Sequence, residues 1–234
     1  MFETTRWSIV AAAGGEDSAA CRAALAVLCE TYWYSLYAYV RRRGADADDA
    51  QDLTQGFLTS LLDRRHFESL RSDRGRFRAF LLASFQNFLS KDLARRKAQK
   101  RGGDATILSL SFEDAEGRYR LEPAEPATPL TLYERRWALT VIDRVLGRLR
   151  QEWEGRKRAA EFDELKDCLL GEVPAGGYSA VATRLGLSET AVRVSVHRLR
   201  RKFQTRLKQE IAETVSNPAD VDDEIRYLIR ALDA

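Results

Sequence analysis

The stretch Tyr178-Ser-Ala-Val-Ala-Thr-Arg-Leu-Gly-Leu-Ser-Glu-Thr-Ala-Val-Arg-Val-Ser-Val-His-Arg-Leu-Arg-Arg201 is punctuated as two short helices meeting at a tight turn. Ala182 is small where the helices must cross closely, Gly186 permits the left-handed backbone of a sharp turn, and Ser188 can cap the helix that follows. Val192, Val196, Leu199 and Phe203 recur at steps of three and four, the inward stripe of a helix running from Ser188 to about Leu207. Glu189, Thr190, Arg193, His197, Arg200 and Arg201 are left outward. This pattern predicts a helix-turn-helix, Tyr178 to Leu185 followed by the second helix. In such a motif the first residues of the second helix, Ser188 included, reach base edges in the major groove while later ones meet phosphates. Arg193 is the strongest candidate base reader, because a guanidinium can donate two hydrogen bonds to one guanine edge. Charge favours DNA over a helical hairpin with a merely solvated basic face. Arg193 to Lys208 hold seven Lys or Arg and no acid, whereas the whole chain nearly cancels, with 38 basic against 35 acidic residues. The positive field is concentrated on one helix.

Around this stretch the chain has room for one or two domains in its 234 residues, and its 44% hydrophobic content supplies a core that a disordered chain would lack. No apolar run approaches the roughly 20 residues that a bilayer crossing needs. Glu3 and Arg6 precede only the short run Ile9 to Ala13, so no secretion signal is expected either. Cys21, Cys29 and Cys168 are odd in number and lack CxxC spacing, which argues against a disulfide framework or a zinc site and for a reducing cytoplasm.

Strand-like alternation is nearly absent and four of the five prolines fall between periodic segments, so the expected fold class is all-α, with two helical domains joined by an acidic linker. The first domain, 1–102, rests on three helices. Leu25, Leu28, Tyr32, Leu36, Tyr39 and Val40 line one face of a helix closed by Arg41 to Arg43 and Gly44. A second helix begins near Asp46, carries Asp48 and Asp49 in its first turn and buries Ala50, Leu53, Phe57 and Leu61. The third starts about Arg76, turns Phe77, Phe80, Leu81, Phe88, Leu89 and Leu93 inward, and ends in a basic run before Gly102-Gly103. Residues 103–130 lose the period and gain acids and prolines, the composition of an extended linker. Periodicity returns at Thr131, whose hydroxyl can cap with Glu134 three residues on, and continues through Leu139, Ile142, Leu146, Leu149 and Trp153. A helix around Phe162, Leu165 and Leu169 ends at Gly171. With the helix-turn-helix these segments fill a second domain, 131–215. Residues 216–234 form a C-terminal extension whose apolar stripe, Val221, Ile225, Leu228 and Leu232, lies beside Asp220, Asp222, Asp223 and Glu224. That stripe is expected to complete the second domain's core or to fold over the basic helix and restrain DNA binding.

A second basic surface, Ser72 to Arg96, interleaves phenylalanines with arginines. Rings can stack on unpaired bases while Arg and Lys follow the phosphates of a single strand; phenylalanines that merely pack the domain are the competing reading. No catalytic set assembles. His66 and His197 fall in different predicted domains, the glycines form no phosphate-binding fingerprint, and Asp46, Asp48, Asp49 and Asp52 lack the spacing of a calcium loop. The expectation is therefore of no enzyme, no metal and no cofactor.

Asp49-Ala-Gln-Asp-Leu-Thr-Gln-Gly-Phe57 resembles the acidic DAEDLxQExF motif of bacterial RNA polymerase sigma factors of the extracytoplasmic function group, within the sigma-70 superfamily. Other segments fall in the matching order. Tyr32 to Gly44 resembles the first helix of region two, Arg74 to Arg96 its promoter-melting and minus-10 reading part, and residues 135 to 207 resemble region four. Thr5-Arg-Trp-Ser8, Tyr133-Glu-Arg-Arg-Trp-Ala-Leu139 and Glu210 to Leu232 look like one large-genome subgroup, so the similarity covers nearly the full length.

The resemblance implies a protein that binds core RNA polymerase, recognises minus-35 and minus-10 elements, melts the promoter and directs initiation. Docking on the clamp helices of the polymerase largest subunit would fall to Asp49, Asp52, Leu53, Gln55 and Phe57, with the flap as a further contact. Minus-10 DNA would meet Arg74, Arg76, Phe77, Arg78, Gln86, Asn87, Lys91 and Arg95, with the loop His66 to Gly75 capturing a flipped base. Minus-35 DNA would meet Ser188, Glu189, Thr190, Arg193, His197, Arg200 and Arg201. Core polymerase and promoter DNA are the implied partners; an anti-sigma factor or other regulator would be a further one, and no membrane is involved. Gln51 and Gly56 stand where glutamates are usual, removing two charges from the docking surface. Elements about 17 base pairs apart are separated by roughly 55 to 60 Å. An extended linker of about 27 residues reaches that far. A helix-turn-helix regulator acting on duplex DNA without core polymerase explains residues 178 to 201 equally well, but not Asp49 to Phe57 beside an aromatic and basic helix.

Overall fold

The structure, a computed structural model, describes residues 7, 19–62, 75–98, 115–121, 127–169 and 176–233. Among these residues the regular structure is helical: α1 Ala19–Arg42, α2 Ala47–Leu62, α3 Phe77–Ala98, α4 Ala115–Arg120, α5 Pro129–Glu154, α6 Ala159–Leu165, α7 Gly177–Leu185, α8 Glu189–Ala212 and α9 Val221–Leu232. The expected all-α class holds for them. Packing divides the chain into two compact units, Met1–Thr140 with Ile211–Ala234, and Val141–Glu210.

In the first unit α1 is the centre. Tyr32, Tyr34, Ser35, Leu36, Tyr37, Ala38, Tyr39 and Val40 are all buried, which is more than the single face the sequence suggests. Aromatic rings explain it, since α1 is approached from several sides. Tyr32 meets Phe77 of α3 at 5.0 Å, Tyr37 meets Tyr119 of α4 at 6.5 Å, and Tyr39 meets Tyr133 of α5 at 6.4 Å. Gly44, at φ +95°, ends α1 as expected. The Asp49 N–H donates to Asp46 Oδ1 at 2.8 Å, so Asp46 caps α2. α2 buries Ala50, Thr54, Phe57, Leu58 and Leu61, and Leu53, expected inside, is half-exposed because Thr54 takes the inward place.

Three features depart from the sequence reading. The stretch 103–130 contains a helix, α4, whose Ala115 is buried and whose Glu116 carboxylate accepts from Arg41 Nε at 3.0 Å, Arg41 Nη2 at 2.9 Å and the Tyr37 hydroxyl at 2.8 Å. Next, α5 starts at Pro129 and is capped by Thr128, whose Oγ1 accepts from the Thr131 N–H at 3.1 Å. Proline suits the first helical position because its missing N–H would have no partner there. Finally, the start of α5 and the C-terminal segment, assigned by periodicity to the second domain and its extension, pack in the first unit. Trp137 Nε1 donates to the Tyr32 hydroxyl at 2.9 Å and the Tyr133 hydroxyl donates to the Arg78 carbonyl at 2.9 Å. The Trp7 N–H donates to the Glu213 carbonyl at 3.0 Å, and its ring lies 5.1 Å from Phe77. α9 buries Glu224, Leu228 and Ala231, whereas Val221, Ile225 and Leu232 of the expected stripe are half-exposed.

The second unit gathers the rest of α5 with α6, a 3-10 turn at Lys166–Cys168, α7 and most of α8. Its core holds Val145, Leu149, Trp153, Phe162, Leu165, Val181, Val192, Val196 and Leu199. Each such side chain contributes on the order of 1.5 to 3 kcal/mol on leaving water.

Candidate nucleic-acid interface

Residues Gly186-Leu187-Ser188 join α7 to α8. Gly186 adopts φ +63°, the left-handed conformation that a residue without Cβ reaches at least cost, and the Leu187 N–H donates back to the Ala182 carbonyl at 2.9 Å. Ser188 Oγ accepts from the Ala191 N–H at 3.2 Å and caps α8. Val192, Val196 and Leu199 are buried as the stripe requires, Phe203 is half-buried, and α8 runs on to Ala212, past the expected end near Leu207.

Ser188, Glu189, Thr190, Arg193, His197 and Arg201 are exposed together on this element. The Arg193 side chain is 60% exposed, yet it lies along the helix: Nε and Nη2 donate to Glu189 Oε1 at 3.1 and 2.6 Å, and its guanidinium stands 4.8 Å over the Tyr178 ring. Arg200 departs from the expectation. Its Nε and Nη2 donate to the Cys168 carbonyl at 3.2 and 2.7 Å, which ties α8 to the 3-10 turn and leaves the side chain half-buried. At about 100° per residue, the direction opposite the buried stripe falls among Thr190, Val194, Arg198 and Arg201. Val194, 43% exposed, and Arg198, also exposed, therefore join the outward face without having been among the expected contacts. Angular spacing alone finds them; composition does not, because a valine within a helix otherwise reads as core. Further along α8 an open depression of about 360 Å³ is lined by Glu152, Arg201, Lys202, Thr205, Arg206 and Gln209. Arg206 pairs there with Glu152 at 2.5 Å, whereas Arg201 and Lys202 enter no ion pair among the described residues.

In the first unit, Asp52 is exposed on α2 and Asp49, Leu53 and Gln55 are half-exposed, so these expected docking residues share an accessible side. Phe57 does not. Its ring is buried 4.8 Å from Phe85 and 5.6 Å from Phe88, which makes it core rather than surface. On α3, Gln86, Asn87 and Lys91 are exposed, with Gln86 Nε2 donating to the Tyr39 hydroxyl at 3.0 Å. Phe77 is fully buried between Trp7 and Tyr32 and is likewise core. Arg78 is only 8% exposed: Nε donates to Glu224 Oε1 at 2.5 Å and the guanidinium stands 3.6 Å over the Tyr227 ring. Arg76 Nε lies 3.2 Å from Glu224 Oε2. The arrival of a buried carboxylate on α9 thus draws inward two arginines expected on the surface. Arg74, the loop residues His66 to Arg74 and the Arg95 side chain lie outside the described residues.

Titration follows these contacts. Burial works most strongly against the charged Arg78, but the hydrogen bond and charge of Glu224 together with Tyr227 and Glu134 outweigh it, and the guanidinium is held above its ordinary value. Burial, reinforced by the acceptor Glu116, pushes the Tyr37 hydroxyl up to about 12. The hydrogen bond from Arg41 holds the Glu116 carboxyl below the usual carboxylate range. Cys21, Cys29 and Cys168 are all buried free thiols, and burial pushes Cys29 and Cys168 up, away from the reactive thiolate. Among the described residues no group of three or more His, Cys, Asp or Glu is placed to hold a metal ion, and no helix is long and apolar enough to cross a membrane.

Compared with known proteins, the chain matches no family model, no curated protein and no solved structure.

Proposed function

We propose that this protein is a sigma factor of the extracytoplasmic function type. In this reading it binds core RNA polymerase in the cytoplasm through the acidic side of α2, reads minus-35 DNA with α8 and minus-10 DNA from the first unit, and directs initiation. The observation that carries it is the helix-turn-helix of α7 and α8, with its left-handed Gly186, its Ser188 cap and an exposed face bearing Arg193, His197, Arg198 and Arg201. The order of acidic motif, aromatic and basic helix, and helix-turn-helix along the chain supports the same reading. Burial of Phe77 and Arg78 favours a second one, a regulator that binds duplex DNA alone, since it takes both from the surface that would face a melted strand. A gel shift on promoter duplexes, with and without core polymerase, separates the two. A sigma factor gives specific, tight binding only with core; equal specific binding without core overturns the proposal.

A further inference from the structure

We infer that the C-terminal segment gates the basic start of α3, holding Arg76 and Arg78 on Glu224 until the phosphates of a single DNA strand take them over. The inference rests on the sigma-type reading and names a regulation of its minus-10 surface. Glu224 is 1% exposed, and its two oxygens serve two guanidiniums. Oε1 accepts from Arg78 Nε at 2.5 Å; Oε2 lies 3.3 Å from Arg78 Nη2 and 3.2 Å from Arg76 Nε. A phosphodiester offers the same charge and paired acceptor oxygens, so it can replace this carboxylate with little change of geometry.

The segment is attached in a way that can open locally. The Phe77 N–H donates to the Thr214 carbonyl at 2.9 Å, the Ser216 N–H donates to the Gly75 carbonyl at 3.0 Å, and Arg76 and Val215 form one isolated antiparallel bridge. So short a pairing is marginal without the side chains around it. Gly75, at φ +52° and with open space where a Cβ would stand, is the place where the backbone can turn. A ligand shifts such an equilibrium only by binding one state better. A strand meets that condition, because its phosphates reach the buried Arg78 only once Glu224 has left.

The test uses the full-length chain and a fluorescein-labelled, mixed-sequence single-stranded oligodeoxynucleotide at low salt, read by anisotropy. Glu224→Gln keeps the shape and removes the charge, and Arg78 retains Glu134 at 4.0 Å and the rings of Tyr227 and Trp137, so the variant is expected to fold. It should bind the strand about tenfold more tightly than wild type, and adding Arg78→Gln should abolish the gain. A variant with the wild-type melting temperature and no tighter binding overturns the gate. Hydrogen exchange on the wild type needs no variant: the Phe77 and Ser216 amides should exchange at least about tenfold faster when the oligonucleotide is bound. Unchanged exchange in the bound state, or failure of both proteins to bind any strand, overturns it too. Core-dependent promoter binding with unchanged exchange removes the gate and leaves the sigma reading standing. Core-independent binding with a tighter Glu224→Gln variant does the reverse.

Discussion

Arg193 and Arg200 sit on the same helix and belong to one basic run, yet their surroundings assign them different work. Arg193 is exposed and, among the described residues, is held by Glu189 and the Tyr178 ring, contacts that a base edge can replace. Arg200 is committed inward to the Cys168 carbonyl. Arg193→Ala should therefore weaken promoter binding in the presence of core polymerase by about 1 to 3 kcal/mol and relax preference at one or two minus-35 bases. Arg200→Ala should leave the preference intact and instead lower stability by about 1.5 to 3 kcal/mol, the worth of hydrogen bonds from a charged donor. Binding across single-base-substituted duplexes and thermal melts of both variants decide the matter. Relaxed base preference in Arg200→Ala would put its guanidinium on DNA and show that the tie to Cys168 is broken in the complex.

At the scale of elements, the helices with a full apolar period are legible in the sequence: α1, α2, α3, α5 and the α7–α8 pair lie where periodicity places them, although α1 begins at Ala19, well before Leu25, and α8 runs past Leu207 to Ala212. Side chains whose partners come from distant sequence are not. Arg78 meets a carboxylate 146 positions away, and no local pattern announces such a pairing. The helical period places Phe57 and Phe77 inward and only the resemblance gives them contact roles; the period is the better guide, since their rings join an aromatic cluster whose members come from different helices. α4 is not legible for another reason. With six residues it is too short to show a period, and it is held largely by Glu116 against Arg41 and Tyr37. That contact makes α4 sensitive to acid. Because the folded Glu116 carboxyl titrates below its unfolded value, its stabilisation is fully present above the ordinary carboxylate value of about 4.3 and is lost as pH falls through the lowered folded value. Glu116→Gln should cost about 1 kcal/mol at pH 7, a small figure because the site is partly open to water. Once the pH is low enough to protonate the folded carboxyl as well, the variant and wild type should melt alike. A difference that persists undiminished in acid would show that something other than the carboxylate charge anchors α4.

For the whole molecule, the balance of 38 basic and 35 acidic residues means that the proposed attraction to DNA would rest on where the cations stand rather than on net charge. The exposed face of α8 and the depression beside it supply that placement. Arg206 is already paired with Glu152, but Arg198, Arg201 and Lys202 enter no ion pair among the described residues and can each neutralise a phosphate without first giving up a carboxylate. Every phosphate so neutralised releases counterions and steepens the fall of log affinity with log salt by about 0.9. Lys202 lies beyond the first turns of α8, where a helix in the major groove has left the base edges behind. Lys202→Ala should therefore weaken binding by a similar factor on every duplex, matched or mismatched, and flatten the salt slope by about one, while Arg193→Ala acts mainly on matched sequence. Titrations of the polymerase complex at several salt concentrations, on a promoter duplex and on an unrelated one, measure both quantities together. An unchanged slope for Lys202→Ala would place the phosphate path on the other side of α8, away from the depression lined by Arg201 and Lys202.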